Sequence, residues 1–408
     1  MKDIAILGGG AAGLTAAVFA DAGEITLYEK NALLARKLRI TGKGRCNLTN
    51  TAPVREMGEV VPRGEKFLRT ALYAFPPDAV MSFFEGLGVP LKVERGGRVF
   101  PVSDRADDVA EALIAAALKN PRLTVKKEAV KSVSRTGDGF LIRTDKGGEA
   151  FRKVLIATGG ASYPATGSTG DGYRFARELG HSVSSPLPSL VPLTVKEGFC
   201  RACMGLSLKN TGVRFRTAAG KTVYEDFGEL LFTHFGVSGP TVLSASAYLD
   251  FTNHSEYRLT LDLKPALSPE ECDRRVLRDL EENRGKDLVN ALDRLLPNKM
   301  IRPILALAGL DEREKAHAVT REERQRLSGL LKALDLTVTG TRPLSEAIVT
   351  RGGVELAQID PRSLESRLVP GLYFAGEVLD ADALTGGFNL QIAFATGRLA
   401  GKSMGDAI

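Results

Sequence analysis

No stretch of this chain is apolar over the roughly 20 residues that a helix needs to cross a bilayer, so a helical membrane protein is not expected. Cysteine is scarce: Cys46, Cys200, Cys203 and Cys272 form no disulfide-like framework. The first residues show no charged n-region, long apolar h-region or cleavage site, and Asp3-Ile4-Ala5-Ile6-Leu7 reads directly as a strand. A reduced, cytoplasmic setting is the expectation. A basic tail is missing too. The 55 Lys and Arg exceed the 49 Asp and Glu by only six, with both signs mixed along the chain, so no nucleic-acid partner is called for. At 43% apolar and 25% charged residues the composition suggests neither disorder nor a fibrous repeat. Its 408 residues exceed the about 250–300 at which single cores stop growing, so two or three domains are expected.

Glycine is what the chain has in quantity, 43 residues gathered in short runs that suit tight turns and backbone approaching a ligand. The first run is the most informative. Ile4–Leu7 leads into Gly8-Gly9-Gly10-Ala11-Ala12-Gly13, a small-residue helix follows over Leu14–Ala22, and a second strand, Ile25–Tyr28, ends on Glu29 with Lys30 beside it. Strand, glycine turn, helix, strand and acid form the dinucleotide fingerprint in its full context. Gly8 permits the sharp turn, Gly10 lets the backbone reach a pyrophosphate, and Gly13 lets the helix pack close to the strand. The phosphates then sit on the free amides and positive end of that helix, beside Ala11 and Ala12 of the glycine turn. Glu29 suits the ribose hydroxyls and would repel a 2′-phosphate, which favours FAD or NAD over NADP here.

The choice of FAD rests on segments far downstream. After a helix near Asp107–Lys119, Leu123–Ile156 reads as a small antiparallel meander returning into Val154–Ala157 and the glycine stop Thr158-Gly159-Gly160. This resembles two-domain FAD proteins of the glutathione-reductase type, which implies that the Val130 backbone meets the adenine. Near the C-terminus, Gly371–Glu377 reads as a strand ending in Gly376-Glu377, followed by Gly386-Gly387-Phe388-Asn389-Leu390 and a helix running toward Gly401. In the FAD pattern Glu377, or its near neighbour Asp380, reaches the ribityl chain. The positive end of the helix after Gly387 then faces the flavin pyrimidine and stabilises reduced flavin.

Three longer strings make a family match: Lys37 to Asn50 (KLRITGKGRCNLTN), Ala157 to Gly172, and Gly228 to Pro240 (GELLFTHFGVSGP). Over essentially the whole chain the sequence resembles the BaiN/YhiN-type NAD(P)/FAD-dependent oxidoreductases, also described as aminoacetone-oxidase-like flavoproteins. The resemblance implies an α/β fold: a Rossmann-type, glutathione-reductase-like FAD-binding domain over 1–188 and 341–408, an inserted β-rich domain over 189–264 and 335–340, and a nested helical subdomain over 265–334. It implies a small-molecule substrate, since members are linked to amine oxidation and to reduction of steroid-type enones. No second fingerprint follows a strand inside the insert, so NAD(P)H binds transiently over the flavin or not at all.

Candidate chemistry then follows. The loop with Lys37, Thr41, Gly42, Lys43, Gly44, Arg45, Cys46 and Asn47 is expected along the pyrophosphate and flavin, supplying amides and compensating charge, with Arg45 and Asn47 also able to face substrate. Cys200 and Cys203 form a CxxC, but outside the expected FAD domain and with no second CxxC, so buried thiols are the preferred reading over a redox pair or zinc site. Cys46 is a packing or flavin-adjacent thiol on the same logic. His234 is either a proton relay to substrate or a structural histidine, and Tyr163 has similar standing as a donor near the flavin. His181, His254 and His317, in polar surroundings, receive no role. The mechanism expected is hydride transfer between a substrate carbon and flavin N5, with oxygen or NAD(P)H as electron partner. A flavin-dependent RNA-modifying enzyme and a non-catalytic redox sensor are the alternatives, the former disfavoured by the scattered charge. No metal is expected, and oligomeric state is open.

Overall fold

The structure, a computed structural model, describes residues 1–405. The chain divides into two compact units, one of Met1–Ser189 with Leu344 onward and one of Leu190–Pro343.

In the first unit the strand Lys2–Leu7 runs parallel to Ile25–Tyr28 on one side and to Gly147–Ile156 on the other. Leu123–Lys126 lies parallel beyond Ile25–Tyr28, and Leu372–Phe374 pairs parallel with Val154–Ile156. The registers place Leu7 opposite both Tyr28 and Ile156, and Ile156 opposite Phe374, so four strands finish in line. Gly8, Glu29, Ala157 and Ala375 therefore line one edge of the sheet, at its carboxyl end, where open α/β sheets bind ligands. Ile4 to Leu7 and Val154 to Ile156 are buried on both faces, which is why they read as unbroken apolar runs.

Only part of the expected meander is antiparallel. Ser132–Thr136, Gly139–Thr144 and the first half of Gly147–Ile156 form it, and the second half of that last strand turns into the parallel sheet. Leu123–Lys126 was expected in the meander and instead joins the parallel edge. Its partner is a hundred residues upstream, and alternation within a strand does not reveal the direction of its neighbour.

Two helices, Ala11–Phe19 and Phe388–Gly405, pack side by side in parallel. A stripe of glycine makes this possible. A Cβ on Gly397 would stand 2.3 Å from the Ala12 carbonyl oxygen, one on Gly401 2.5 Å from that of Ala16, and one on Gly405 2.6 Å from that of Asp21. Because Gly397 meets Ala12, the later helix begins eight residues, about 12 Å of axis, before the point where the earlier one starts. Buried Gln391 anchors it, accepting from Thr49 Oγ1 (2.6 Å) and donating to the Phe75 carbonyl (2.7 Å).

The second unit is a closed six-stranded barrel in the order Leu193–Val195, Gly236–Ser238, Thr222–Phe232, Ser207–Thr217, Tyr257–Asp262, Leu334–Thr341. Leu193–Val195 also pairs with Leu334–Thr341, which closes it. Helices Pro269–Glu282 and Arg321–Lys332 each start with a capping box, Ser268 with Glu271 and Thr320 with Glu323. The helical segment 265–334, expected as a separate subdomain, has no core of its own: Val276, Ile304 and Leu327 share one apolar cluster with Leu259, Leu261 and Leu336 of the barrel.

His181, read from sequence as lying in polar surroundings, is buried at 4% exposure. Its Nε2 lies 2.7 Å from Ser366 Oγ, its Nδ1 is buried with no hydrogen-bond partner among the described residues, and its ring meets Phe374 edge-on. Burial pushes its pKa below the usual value, which is about 6.5. Unfolded chain therefore takes up a proton on acidification that the folded chain resists, so stability is full above about pH 6.5 and falls below it. Urea midpoints measured from pH 8 to 5 should drop at the acid end, and His181→Gln should flatten that drop; an unchanged slope in the variant would remove the assignment.

Candidate functional site

The three fingerprint glycines occupy three different environments. At Gly8, φ is +106° and a Cβ would lie 2.5 Å from the Ala157 carbonyl oxygen; at Gly13 it would lie 2.0 Å from the Gly8 carbonyl. At Gly10 a Cβ would meet nothing within 4 Å. The turn and the packing thus require the outer two, while the middle one leaves backbone exposed to a ligand. The first helix bond runs from Leu14 N–H to the Gly10 carbonyl (2.9 Å), so the amides of Ala11, Ala12 and Gly13 have no acceptor within the helix. No side chain caps this end and no acid lies in its first turn, which keeps its positive potential available to an anion.

Glu29 stands at the end of the second strand, buried. Its Oε2 accepts from Gly9 N–H (2.9 Å) and its Oε1 from the Asn31 backbone (2.8 Å) and Nδ2 (2.7 Å). This fixes the carboxylate beside the glycine turn. Asn31, which sequence reasoning missed, also donates to the Thr166 carbonyl (3.2 Å) and ties this corner to the Pro164–Thr166 turn. Lys30 is turned to Thr169 and Asp171 (both 2.5 Å) rather than to the glycine turn. The Lys30 ammonium holds the Asp171 carboxyl below its usual range, against the opposing effect of burial. Val130 lies in the irregular segment after Leu123–Lys126, and its backbone N–H and carbonyl have no hydrogen-bond partner among the described residues.

The Lys37 to Asn50 string forms a short helix, Arg36–Ile40, and a contorted loop. Gly42, Lys43, Gly44 and Cys46 all have φ between +58° and +83°. Left-handed backbone at the non-glycine Lys43 and Cys46 is strain of the kind held at ligand sites. Thr41 Oγ1 donates back to the Leu38 carbonyl (2.6 Å). Arg45, expected to compensate phosphate or face substrate, is instead engaged by Glu94 and Asp104 (both 2.5 Å) and lies over the Phe100 ring. Those acids sit fifty and sixty positions downstream, so the sequence around Arg45 gives no sign of them. Asn47, expected to face substrate, is also engaged by the protein. With its amide oriented to satisfy its neighbours, it donates to the carbonyls of Thr49 (3.1 Å) and Val99 (3.3 Å) and accepts from Gly387 N–H (3.0 Å). It ties the loop to the start of the C-terminal helix.

At that helix start, Gly386 and Gly387 have φ of +134° and +99°, and a Cβ on Gly387 would lie 2.3 Å from the Thr49 carbonyl. Gln391 N–H to the Gly387 carbonyl is the first helix bond (3.1 Å), so the amides of Phe388, Asn389 and Leu390 have no intrahelical acceptor. The Asn389 side chain is not free for a ligand: its amide both donates to and accepts from Ala383 (2.7 and 2.9 Å).

Glu377 follows Gly376, whose Cβ would come within 2.9 Å of Ala12. Its carboxylate accepts from Lys37 Nζ (2.7 Å), Thr350 N–H (2.9 Å) and Ser162 Oγ (3.1 Å), and Lys37 also donates to Ser162 Oγ (2.8 Å). Gly160 is required here, because a Cβ would lie 2.4 Å from Thr350 Oγ1 and 2.7 Å from Glu377 Oε1. Gly159 is left-handed at φ +74°. Thr158 turns its buried Oγ1 toward Gly172, so only its backbone lies at the strand end. Asp380, named as an alternative to Glu377, is bound by Ser184 Oγ (2.8 Å). Ser162 lay within a quoted motif, whereas nothing in the sequence pointed to Thr350.

Tyr163 has φ +50° at the head of the Pro164–Thr166 turn and is half-buried, with no hydrogen-bond partner for its hydroxyl among the described residues. His234 belongs to the second unit, exposed on the turn after Thr222–Phe232 with its ring edge-on to Phe235. Cys200 and Cys203, also in the second unit, are buried and free, and burial pushes their thiols up to about 12 and about 11. Cys46 in the first unit is likewise pushed up to about 12. With Cys272 also buried and raised, no thiol should react with a disulfide reagent at pH 8 until denaturant is added, when all four should titrate. Fast reaction of a pair in the folded protein would restore the redox reading of the CxxC.

The chain is similar to known proteins over nearly its whole length. Residues 2–403 match the model of the HI0933-like protein Rossmann domain. The 3-dehydro-bile acid delta(4,6)-reductase of Clostridium scindens is 32% identical over 99% of each chain. The ribosomal RNA dihydrouridine synthase of Haemophilus influenzae is 31% identical over 96% of this chain and 95% of its own. Among solved structures, a variant of the quinol fumarate reductase subunit FrdA of E. coli aligns with a TM-score of 0.50 at 17% identity, over 99% of this chain and 70% of that one, a likeness of fold. Among the described residues no helix is long and apolar enough to cross a membrane.

Proposed function

The chain belongs to the HI0933-like Rossmann family and is a flavin-dependent oxidoreductase, and from that premise we propose that it binds FAD and reduces a carbon–carbon double bond conjugated to a carbonyl. The observation that carries the FAD reading is the pair of parallel helices whose starts are offset by about 12 Å. The first offers its amides to a pyrophosphate. The second begins further along, where a ribityl chain would carry the flavin ring. Glu29 then takes the adenosine ribose, the open backbone of Val130 the adenine, and the amides of Phe388 to Leu390 the electron-rich pyrimidine edge. The residues present fit the group: Gly10 leaves room for phosphate, and no acid stands in the first turn of either helix.

The substrate class rests on the two relatives. One is named for a steroid with double bonds conjugated to a 3-oxo group, the other for a uridine saturated beside its carbonyl. Reduction of such a conjugated bond adds a hydride at its carbon farther from the carbonyl and a proton at the other end of the conjugated system. Bound flavin supplies the hydride. This chain's residues hold the cofactor, exclude water and deliver the proton, and Tyr163 Oη, with no hydrogen-bond partner among the described residues, is the donor we assign. Tyr163→Phe should slow turnover by about 100-fold or more while FAD affinity stays unchanged; full activity in that variant removes the role. The proton-relay role of His234 remains a separate proposal, carried by its sequence context alone.

Which substrate is used is settled by anaerobic incubation with NADH or NADPH as reductant and, in turn, a small enone and a ribosomal RNA fragment. The small-molecule reading expects reoxidation of reduced flavin and a saturated product with the enone. The second reading, favoured by the dihydrouridine synthase relative, expects it with RNA alone. Failure of both acceptors removes the proposed substrate class, and failure of both nicotinamides removes NAD(P)H as donor.

A further inference from the structure

Lys37, Ser162, Thr350 and Glu377 come from four distant parts of the first unit and close into one polar ring. Thr350 Oγ1 extends it, accepting from the amides of Ala161 (2.8 Å) and Ser162 (3.1 Å). Lys37 has three N–H bonds and the ring engages two of them. Its side chain and that of Glu377 are 23% and 20% exposed, so each shows one flank to solvent. The ring also has a defined place. Glu377 adjoins Gly376, which abuts Ala12 in the pyrophosphate-facing turn. Lys37 lies in the short helix Arg36–Ile40, just before the loop that Asn47 ties to Gly387 at the start of the C-terminal helix. The ring is thus joined through neighbouring chain to both cofactor-facing helix ends.

We propose that Lys37 is a positioning residue whose ammonium, held and partly neutralised by Glu377, tunes the reduction potential of the bound flavin, an inference that rests on the FAD reading above. Reduced flavin carries more negative charge than oxidised flavin, so a nearby cation favours the reduced form and a nearby anion disfavours it. In this ring the two charges oppose each other. Removing one should shift the potential opposite to removing the other, which a merely structural latch would not produce.

The test is spectroelectrochemical titration of the FAD-loaded, full-length protein, with FAD affinity measured alongside. Lys37→Met is expected to lower the midpoint potential, Glu377→Gln to raise it, and Lys37→Arg to restore it to near the wild-type value. Shifts of the same sign, or no shift in either variant with FAD bound, overturn the proposal. If Lys37→Met fails to fold, Glu377→Gln and Lys37→Arg still decide, because only charge tuning predicts a rise in one and wild-type behaviour in the other. Wild-type protein that binds no FAD would instead overturn the underlying reading.

Discussion

Gly397→Ala is expected to destabilise the protein by about 2 kcal/mol and to weaken FAD binding by about 100-fold or more, although glycine to alanine inside a helix ordinarily stabilises. The usual gain of about 0.5–1 kcal/mol comes from reduced backbone freedom. Here it is outweighed, because the new methyl would lie 2.3 Å from the Ala12 carbonyl oxygen and 3.0 Å from two further Ala12 backbone atoms. Those atoms belong to the first turn of the opening helix and cannot move aside as a flexible side chain would, so overpacking costs about 1–3 kcal/mol. Relief comes only by moving the two helices apart, which misaligns the ends proposed to hold the cofactor. Gly329→Ala is the control. Gly329 lies in helix Arg321–Lys332 with nothing within 4 Å of a Cβ, so the same change there should be neutral or stabilising. Thermal melts and flavin fluorescence titrations of both variants check this, and equal behaviour at the two sites would contradict the packing argument.

Asp382→Ala should cost about 3 kcal/mol, the lower end of what removing one partner of a buried ion pair costs. Asp382 is 1% exposed and accepts from Arg63 Nε and Nη2 (both 2.6 Å) and from Ser189 Oγ (2.7 Å). Without it the guanidinium loses its bidentate partner inside the fold. The double variant with Arg63→Ala should lose less than the sum of the single losses, since the two side chains act as one unit. Denaturant midpoints of the four proteins measure this coupling. The pair also pins the segment between Glu377 and Gly387, so Asp382→Ala should weaken FAD binding as well.

What was legible in the sequence was local. Gly8, Gly10, Gly13 and Glu29 announce themselves because a turn, a close approach and a strand-end acid recur at fixed spacing, and the structure shows a distinct environment for each. Even there the helix begins at Ala11 rather than Leu14 and ends at Phe19, since small residues give no periodic pattern to mark its limits. What was not legible depended on partners distant in sequence. Arg45 looked like a free cation until Glu94 and Asp104 folded against it. Asn47 looked available until Gly387, hundreds of residues later, was placed beside it. Thr350 carried no motif, and the closing of the barrel depends on Leu193–Val195 meeting Leu334–Thr341. His181 reads as polar by its neighbours and is buried by tertiary packing.

The central claim is that the ends of two parallel helices, from opposite ends of the chain, hold one flavin cofactor. Titration of the purified, cofactor-stripped protein with FAD, followed by flavin fluorescence, tests it most directly. The account expects saturation at one FAD per chain in the wild type and a large loss of affinity in Gly397→Ala. Folded wild-type protein that leaves FAD fluorescence unchanged, or Gly397→Ala binding as tightly as wild type, would contradict it.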